Sequence, residues 1–187
     1  MPRLKAIETA EAAPKAKAFL EGVQKKLGMT PNLMRTMANS PAVLEAYLGF
    51  GNALGKGTLS PKLREQIALT VGELNECQYC LSAHATLGKI VGLGDEEIAD
   101  SRRGVSPDRK TEAALQFARK VVTDRGWVSD DDVASLRAAG TTDAELAEIV
   151  GAVVLNIFSN YFNHVADTEV DFPEVEAPGN QPTCACG

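Results

Sequence analysis

Two cysteines and a histidine close together in the sequence are the residues of this chain best suited to chemistry. Cys77 and Cys80 lie three residues apart, and His84 follows Cys80 by four residues. At the start of a helix this spacing places all three side chains on one face. The free amides and the dipole of a helix start favour a thiolate and lower its pKa below the value of about 8.5 of a free thiol. A histidine there can carry the thiol proton near neutral pH.

This arrangement predicts reversible thiol–disulfide chemistry. A thiolate attacks the O–O bond of a peroxide and becomes a sulfenic acid, which a neighbouring thiol converts into a disulfide. One cysteine would react with the peroxide and the other would resolve the sulfenic acid. The pair also fits a disulfide oxidoreductase without peroxidase activity, or a zinc-binding or redox-sensing module without turnover. In the zinc hypothesis, Cys184 and Cys186 supply the other ligands.

The composition argues against several other classes of function. The 187 residues carry a net charge of −6, whereas a nucleic-acid-binding surface needs a basic stripe. Residues 1–13 lack the basic start and apolar core of a signal peptide, and the apolar run 149–158 is too short to cross a bilayer. We therefore expect a cytoplasmic protein that binds neither nucleic acid nor membrane. In that reducing compartment a close cysteine pair is more often catalytic or metal-binding than structural.

Cap and turn signals indicate helices along most of the chain. Two capping boxes and four Ser–Pro or Thr–Pro pairs mark helix starts, namely Ser129 with Asp132, Thr142 with Glu145, Thr30-Pro31, Ser40-Pro41, Ser60-Pro61 and Ser106-Pro107. Glycines able to adopt the left-handed conformation mark helix ends at positions 28, 55, 126 and 140. We predict helices at 14–27, 31–39, 41–54, 61–75, 77–92, 95–103, 107–125, 130–139 and 143–166.

The hydrophobic pattern predicts an all-α fold. Apolar residues recur at the spacing of a helix face, and we find no strand-like alternation. An aromatic content of only 5% also favours helix packing over a β-sandwich. We therefore predict a single domain over residues 1–187 with its core at about 15–166. Residues 167–187 contain three prolines and few apolar residues, which is typical of an extended arm or a disordered end.

Glu65, the Cys77-x-x-Cys80 pair and His84 match the central pattern of the alkylhydroperoxidase-D (AhpD) and carboxymuconolactone-decarboxylase superfamily. The glutamate lies twelve residues before the first cysteine, as in that pattern. The lead-in Leu59-Ser60-Pro61-Lys-Leu-Arg-Glu65 and the exit Gly92-Leu93 are similar to the family as well. The end of the last helix resembles its peroxidase-related branch, in Asn160-Tyr-Phe-Asn-His164-Val-Ala-Asp-Thr-Glu-Val-Asp-Phe-Pro173. The likeness covers about residues 15–173.

The resemblance implies an AhpD-like helical bundle that assembles as a homo-oligomer, a trimer or a hexamer. It implies a thiol-dependent peroxidase that reduces hydroperoxides without cofactor or metal, and whose reductant is a thiol or a lipoylated protein. In the family the second cysteine reacts with the peroxide and the first one resolves, which assigns these roles to Cys80 and Cys77. Glu65 and His84 would relay the proton. The helix-start argument alone favours Cys77 as the nucleophile, because the dipole effect fades within a turn.

One departure from the family concerns Tyr79, where its best-studied peroxidases carry a histidine just before the second cysteine. A phenol can hydrogen-bond but cannot act as a base near neutral pH. We therefore expect a shorter proton relay, and slower turnover or a different oxidant. The cysteine pair itself argues against lactone decarboxylation, because the decarboxylase branch lacks it.

Two further features have alternative interpretations. His164 is expected to be a packing or capping residue, and the alternative is a place in the site or at a subunit contact. Cys184 and Cys186 are either part of an inert tail or a dithiol that reduces the disulfide of the main cysteine pair by thiol exchange.

Overall fold

The computed structural model describes residues 1–177, and in that range the regular structure consists of nine α-helices without any strand. Their bounds are Pro14–Leu27 (α1), Asn32–Met37 (α2), Pro41–Leu54 (α3), Pro61–Leu74 (α4), Gln78–Ile90 (α5), Asp95–Arg103 (α6), Arg109–Thr123 (α7), Asp130–Ala138 (α8) and Asp143–Ala166 (α9). The predicted all-α class and the predicted order of helices are confirmed.

Side-chain caps explain several of the helix starts. Ser60 accepts a hydrogen bond from the backbone N–H of Leu63 at the start of α4. Ser129 and Thr142 form the two predicted capping boxes of α8 and α9. Gly28 ends α1 in the left-handed conformation, as predicted, but Gly55 has φ −62° and stays in the right-handed region. The predicted left-handed cap at Gly55 is therefore wrong.

The other Ser–Pro and Thr–Pro pairs do not cap as predicted. The helices that follow Thr30 and Ser106 begin later than expected, because Pro31 and Asp108 occupy the N-cap positions. Asp108 accepts from a backbone N–H at 2.8 Å and caps α7 in place of the serine. Ser40 does lie at the N-cap of α3, but its side chain makes no cap hydrogen bond.

The core is built around α4, which packs against α5, α6, α7 and α9. Fully buried residues of the main cluster come from these central helices, with Ile67 and Val71 on α4, Leu115 on α7 and Val153 on α9. A second cluster contains α1, α2 and α3 and includes both Cys77 and Cys80. The redox pair therefore lies where the amino-terminal helices pack against the central ones.

Helix α9 is 24 residues long and, by length and composition alone, apolar enough to cross a membrane. The central helix of a bundle passes the same test, and α9 packs against α3, α4 and α7. Its most apolar window is 44% buried inside the protein. The rest includes a row of exposed apolar side chains, here called the α9 stripe: Val150, Val154, Phe158, Tyr161 and Val165.

Residues 168–177 form an irregular segment, here called the strap, that follows α9 back across the molecule. The Asp171 carboxylate accepts from the backbone N–H of Asn32 at 2.8 Å and from the hydroxyl of Tyr79 at 2.9 Å. The Val175 carbonyl accepts from the side-chain amide of Gln78 at 2.8 Å. The strap is thus attached to α2 and to the first turn of α5.

A buried ion pair holds the far end of the strap. Arg102 on α6 lies 2.7 Å from the Glu73 carboxylate, and their side chains are only 4% and 13% exposed. The same guanidinium donates to the carbonyl of Glu176 at 3.1 Å. A buried guanidinium needs several acceptors to offset the loss of water, and the strap supplies part of them.

Candidate redox site

A disulfide joins Cys77 and Cys80 at the start of α5, with their Cα atoms 5.3 Å apart. Cys77 is the N-cap of the helix, and its sulfur accepts from the backbone N–H of Cys80 at 3.4 Å. Its own N–H donates to the Gly72 carbonyl of α4 at 2.9 Å. The preceding residue, Glu76, has φ 54° and makes the tight turn between the two helices. This turn places both sulfurs at a helix start.

Both cysteines are almost completely buried, at 1% exposure for Cys77 and 3% for Cys80. The side-chain amide of Asn163 on α9 donates to the Cys80 sulfur at 3.3 Å and lies 4.0 Å from the Cys77 sulfur. The other atom of that amide group, Oδ1, is buried without a hydrogen-bond partner in the described part of the chain. Asn163 is therefore a polar neighbour of the disulfide with one acceptor still unused.

The sequence interpretation missed Asn163, although a signal existed. Asn156, Asn160 and Asn163 recur at spacings of four and three within an otherwise apolar helix, which places them on one face. All three are buried. A buried row of amides in a core helix indicates polar partners on a neighbouring element.

His84 and Glu65 form a close pair between α5 and α4. The Nδ1 atom of His84 lies 2.7 Å from Oε2 of Glu65, and the side chains are 19% and 20% exposed. Because Nδ1 is engaged by the carboxylate, Nε2 is the ring nitrogen left for a ligand. The carboxylate also fixes the orientation of the ring.

A cavity of about 390 Å³, here called the site cavity, adjoins the redox pair. Cys80 and His84 line it, whereas Cys77 does not. Most of the remaining wall is apolar, including Leu33, Met34, Leu87 and Phe172. The structure therefore brings the four predicted residues together: Cys80 and His84 face one cavity, Cys77 is bonded to Cys80, and Glu65 holds His84.

Two tyrosines of the site cavity have different surroundings. Burial, together with the negative charge of Glu65, raises the pKa of Tyr47 to about 12, so its phenol stays protonated and can donate. Burial also raises the pKa of Tyr79. The Tyr79 hydroxyl accepts from the backbone N–H of Leu33 at 3.0 Å and donates to Asp171. Tyr79 thus binds the strap, and its hydroxyl is occupied there.

The remaining candidates lie elsewhere. His164 is at the exposed end of α9, where its ring stacks on Tyr161 with centroids 6.5 Å apart. Within residues 1–177 no group of three or more His, Cys, Asp or Glu side chains could hold a metal ion. The zinc and tail-relay hypotheses depend on Cys184 and Cys186, which lie outside the described residues.

Sequence comparisons give one family and one short relative. The model of the carboxymuconolactone decarboxylase family matches residues 41–124, a range that contains Glu65, both cysteines of the pair and His84. An uncharacterized protein of Haemophilus influenzae is 46% identical over 46 residues. That match covers 24% of this chain and 41% of the relative, so the chain spans less than half of that protein.

Solved structures match nearly the whole chain. An uncharacterized peroxidase-related protein of Ralstonia eutropha JMP134, described as an alkylhydroperoxidase AhpD core, has a TM-score of 0.81 and 25% identity over 91% of this chain and 92% of its own. A peroxidase-related protein of Silicibacter sp. TM1040 has a TM-score of 0.76 and 27% identity over 90% and 94%. The debrominase Bmp8 has a TM-score of 0.78 and 19% identity over 90% and 92%, a likeness of fold alone.

Proposed function

Because the chain belongs to the alkylhydroperoxidase-D and carboxymuconolactone-decarboxylase superfamily, we propose that it is a thiol-dependent peroxidase. It would reduce hydroperoxides through Cys77 and Cys80. The observation that carries this proposal is the site cavity, whose wall holds Cys80 of the disulfide beside His84. The His84–Glu65 contact adds an acid–base group to the same wall.

The surroundings of the two sulfurs support Cys80 as the cysteine that attacks the peroxide. Cys80 lines the site cavity and Cys77 does not. Cys77, as the N-cap, accepts from a backbone N–H, which stabilises its thiolate. A stabilised thiolate at Cys77 is the form needed to attack an oxidised Cys80. The helix-start argument and the family assignment are thus compatible, because the helix start activates the resolving cysteine.

Peroxide reduction by this pair would be a two-electron oxidation of its two thiols. The Cys80 thiolate attacks the terminal oxygen of the hydroperoxide, the O–O bond breaks, and the alkoxide takes a proton from His84 and leaves as an alcohol. Cys80 is now a sulfenic acid. The Cys77 thiolate attacks its sulfur, and hydroxide leaves as water after it takes up a proton. An external dithiol then supplies two electrons and two protons, which reduce the disulfide and restore both thiols.

His84, Glu65 and Tyr47 supply the proton handling in this scheme. The Glu65 carboxylate holds Nδ1 of the imidazole and orients the ring. General acid catalysis of this kind contributes roughly a factor of 10² to 10⁴ in rate. The Tyr47 phenol, which is protonated at neutral pH, would give a hydrogen bond to a polar group of the substrate.

The burial of the disulfide restricts the size and shape of the reductant that can reach it. With Cys77 and Cys80 at 1% and 3% exposure, a flat protein surface has poor access to either sulfur. A slender dithiol that enters the site cavity has better access, and we therefore place a small thiol or a lipoyl group on a partner protein in that role. We also place the reaction in the cytoplasm, where such thiols are kept reduced.

We further propose that the protein is a homo-oligomer whose subunits contact each other through the α9 stripe. The stripe exposes apolar side chains at helical spacing, with Val154 at 48% and Val165 at 67% exposure. A row of this kind on one helix face is typical of an interface. A second copy supplies a matching apolar surface, as in symmetric assemblies.

Rapid mixing of the fully reduced protein with an organic hydroperoxide tests the proposed function. We expect fast loss of the two thiols of the pair, while Cys80→Ser consumes no peroxide. Cys77→Ser should consume peroxide once and retain a sulfenic acid that a dimedone-type reagent captures. A protein without Cys184 and Cys186 serves as the matched control and should behave like the wild type in this single turnover. Thiol loss at the rate of a free cysteine would contradict the proposal, and a disulfide oxidoreductase would instead react only with a mixed disulfide.

A further inference from the structure

A second cavity of about 560 Å³ lies between α1 and α3, next to the site cavity. The same five side chains line both cavities and lie between them: Lys26, Leu27, Met34, Tyr47 and Leu87. The second cavity reaches as far as Leu155 on α9. The two adjacent cavities together extend from Cys80 and His84 to Leu155.

Three lining positions of the second cavity carry no side chain. Gly22 lies on α1, and Gly49 and Gly51 lie on α3. A Cβ atom built at Gly22 or Gly49 would meet nothing within 4 Å, and one at Gly51 would meet only Leu155 at 3.8 Å. Close helix packing within the chain therefore does not require these glycines. The absence of side chains at these positions leaves open space beside α1 and α3.

The wall of the second cavity is suited to an uncharged chain. Phe19, Val23 and Leu48 supply apolar surface. The two charged lining residues already have polar partners. Lys26 lies 3.5 Å from the side-chain oxygen of Asn52, and Glu45 forms an ion pair with Lys15 at 2.6 Å. A polar ligand would find few unused partners here, whereas burial of hydrocarbon is favourable.

We propose that the second cavity is a binding subsite for the hydrocarbon chain of the substrate, and that Gly22, Gly49 and Gly51 determine its chain-length specificity. The substrate class is a long, unbranched alkyl hydroperoxide. Its –OOH group lies at Cys80, and its chain passes the stem of Lys26 and ends near Leu155. This inference rests on the proposed function for the reacting group, but the binding of the chain can be measured separately.

The binding test uses dodecanol and butanol, which carry no hydroperoxide, in competition with a fluorescent apolar dye on the disulfide form. Each fully buried methylene group contributes about a fourfold gain in affinity. Burial of about three or four of the additional methylene groups of dodecanol should therefore make the wild-type protein bind it roughly a hundredfold more tightly than butanol. Gly22→Leu adds a large side chain at the edge of the second cavity and should weaken dodecanol binding at least roughly tenfold. Butanol should be unaffected. Gly22→Ala is the matched control and should change neither value by more than about twofold.

The kinetic test compares dodecyl hydroperoxide with tert-butyl hydroperoxide. The wild type should show the higher kcat/KM for the long chain, and Gly22→Leu should bring the ratio of the two kcat/KM values close to one. Equal affinity of the wild type for dodecanol and butanol would overturn the subsite. The subsite would also be overturned if a second copy of the chain covers the second cavity. That case would appear as a change of oligomeric mass in Gly22→Leu, together with no binding of dodecanol by the wild type. If the protein binds dodecanol selectively but reduces none of the peroxides, the proposed peroxidase function would be wrong and the proposed subsite would stand.

Discussion

At the residue scale, Asn163 is a polar side chain in direct contact with the sulfur of Cys80. Its amide nitrogen donates to Cys80, and its buried oxygen has no partner in the described part of the chain while the disulfide is closed. A reduced cysteine carries an S–H group that could donate to this oxygen. A buried acceptor without a partner costs about 1–3 kcal/mol. Asn163 should therefore favour the reduced pair over the disulfide.

Replacement by a side chain of similar size without polar atoms tests this effect. Asn163→Leu should make the reduction potential of the Cys77–Cys80 pair more negative by roughly 20–60 mV, since about 1.4 kcal/mol corresponds to 30 mV for two electrons. Equilibration with glutathione buffers and thiol alkylation measures the potential. His164→Ala, an exposed change on the same helix, is the control. A potential that stays constant or becomes less negative in Asn163→Leu would contradict the assigned role.

The motif residues could be found from the sequence, and their neighbours could not. Cys77, Cys80 and His84 lie within one helix start, where spacing along the chain fixes their relative positions. Asn163 and Tyr47 reach the site from α9 and α3. Their proximity depends on how distant helices pack, and this information is absent from local spacing.

At the element scale, Tyr79 connects three segments. Its hydroxyl joins the start of α2, through the Leu33 N–H, to Asp171 of the strap, and its ring contacts Phe172 edge to face at 5.8 Å between centroids. Where the resembling peroxidases carry a histidine, this protein thus carries a structural phenol. The strap, which contributes Phe172 to the site cavity, depends on that phenol.

Tyr79→Phe should therefore loosen the strap and leave the redox pair in place. We expect a loss of about 1–3 kcal/mol in the free energy of unfolding, because a buried Leu33 N–H loses its acceptor. Hydrogen exchange in residues 168–177 should become faster, as measured by mass spectrometry. Tyr161→Phe, at 56% exposure, should change neither quantity. Unchanged exchange in the strap would show that its other contacts are sufficient.

Glu148 on α9 fixes the connection between α3 and α4. Its carboxylate accepts from the backbone N–H groups of Thr58 at 2.8 Å and Leu59 at 2.9 Å, and these hydrogen bonds lower its pKa below 4.5. A group whose pKa is lower in the folded state adds stability above its unfolded pKa. That stability is lost as the pH falls through the folded pKa.

Glu148→Gln should therefore cost about 0.5–1 kcal/mol at neutral pH, because most of these hydrogen bonds are exposed to solvent. The difference from the wild type should shrink as the pH falls through the lowered pKa of Glu148. Urea unfolding at several pH values measures both, with the exposed Glu21→Gln as control. Gly57→Ala should mimic the neutral-pH loss, because an added methyl group would overlap the Glu148 carboxylate. A difference that persists at low pH would exclude the carboxylate as its cause.

At the scale of the whole molecule, the exposed α9 stripe is the surface expected to hold subunits together. Val154→Glu places a charge in the middle of that surface. We expect the mass from light scattering to fall to that of a monomer while the circular dichroism stays helical, since an unpaired charge is costly in an apolar interface. Trp127→Glu, at a position 88% exposed outside α9, should leave the mass unchanged. Equal masses of Val154→Glu and wild type would remove the stripe from the interface.

Helical periodicity and capping signals sufficed to predict an all-α protein, because both are local properties of the chain. They did not indicate that α4 lies at the centre of the bundle or that the segment after α9 returns to the first turn of α5. Both arrangements depend on long-range contacts such as the buried Arg102–Glu73 pair and its hydrogen bond to the Glu176 carbonyl. No spacing rule relates these positions.

The atom that caps α5 is also the atom that gains and loses a covalent bond in every proposed cycle. In the disulfide, the Cys77 sulfur is a weak, neutral acceptor for the Cys80 N–H. As a thiolate it would be an anion at the positive end of a helix dipole. The first turn of α5 should therefore be more stable in the reduced protein than in the disulfide form. Disulfide formation would loosen the turn that an incoming reductant has to reach, so the oxidised form would be more accessible to its reductant.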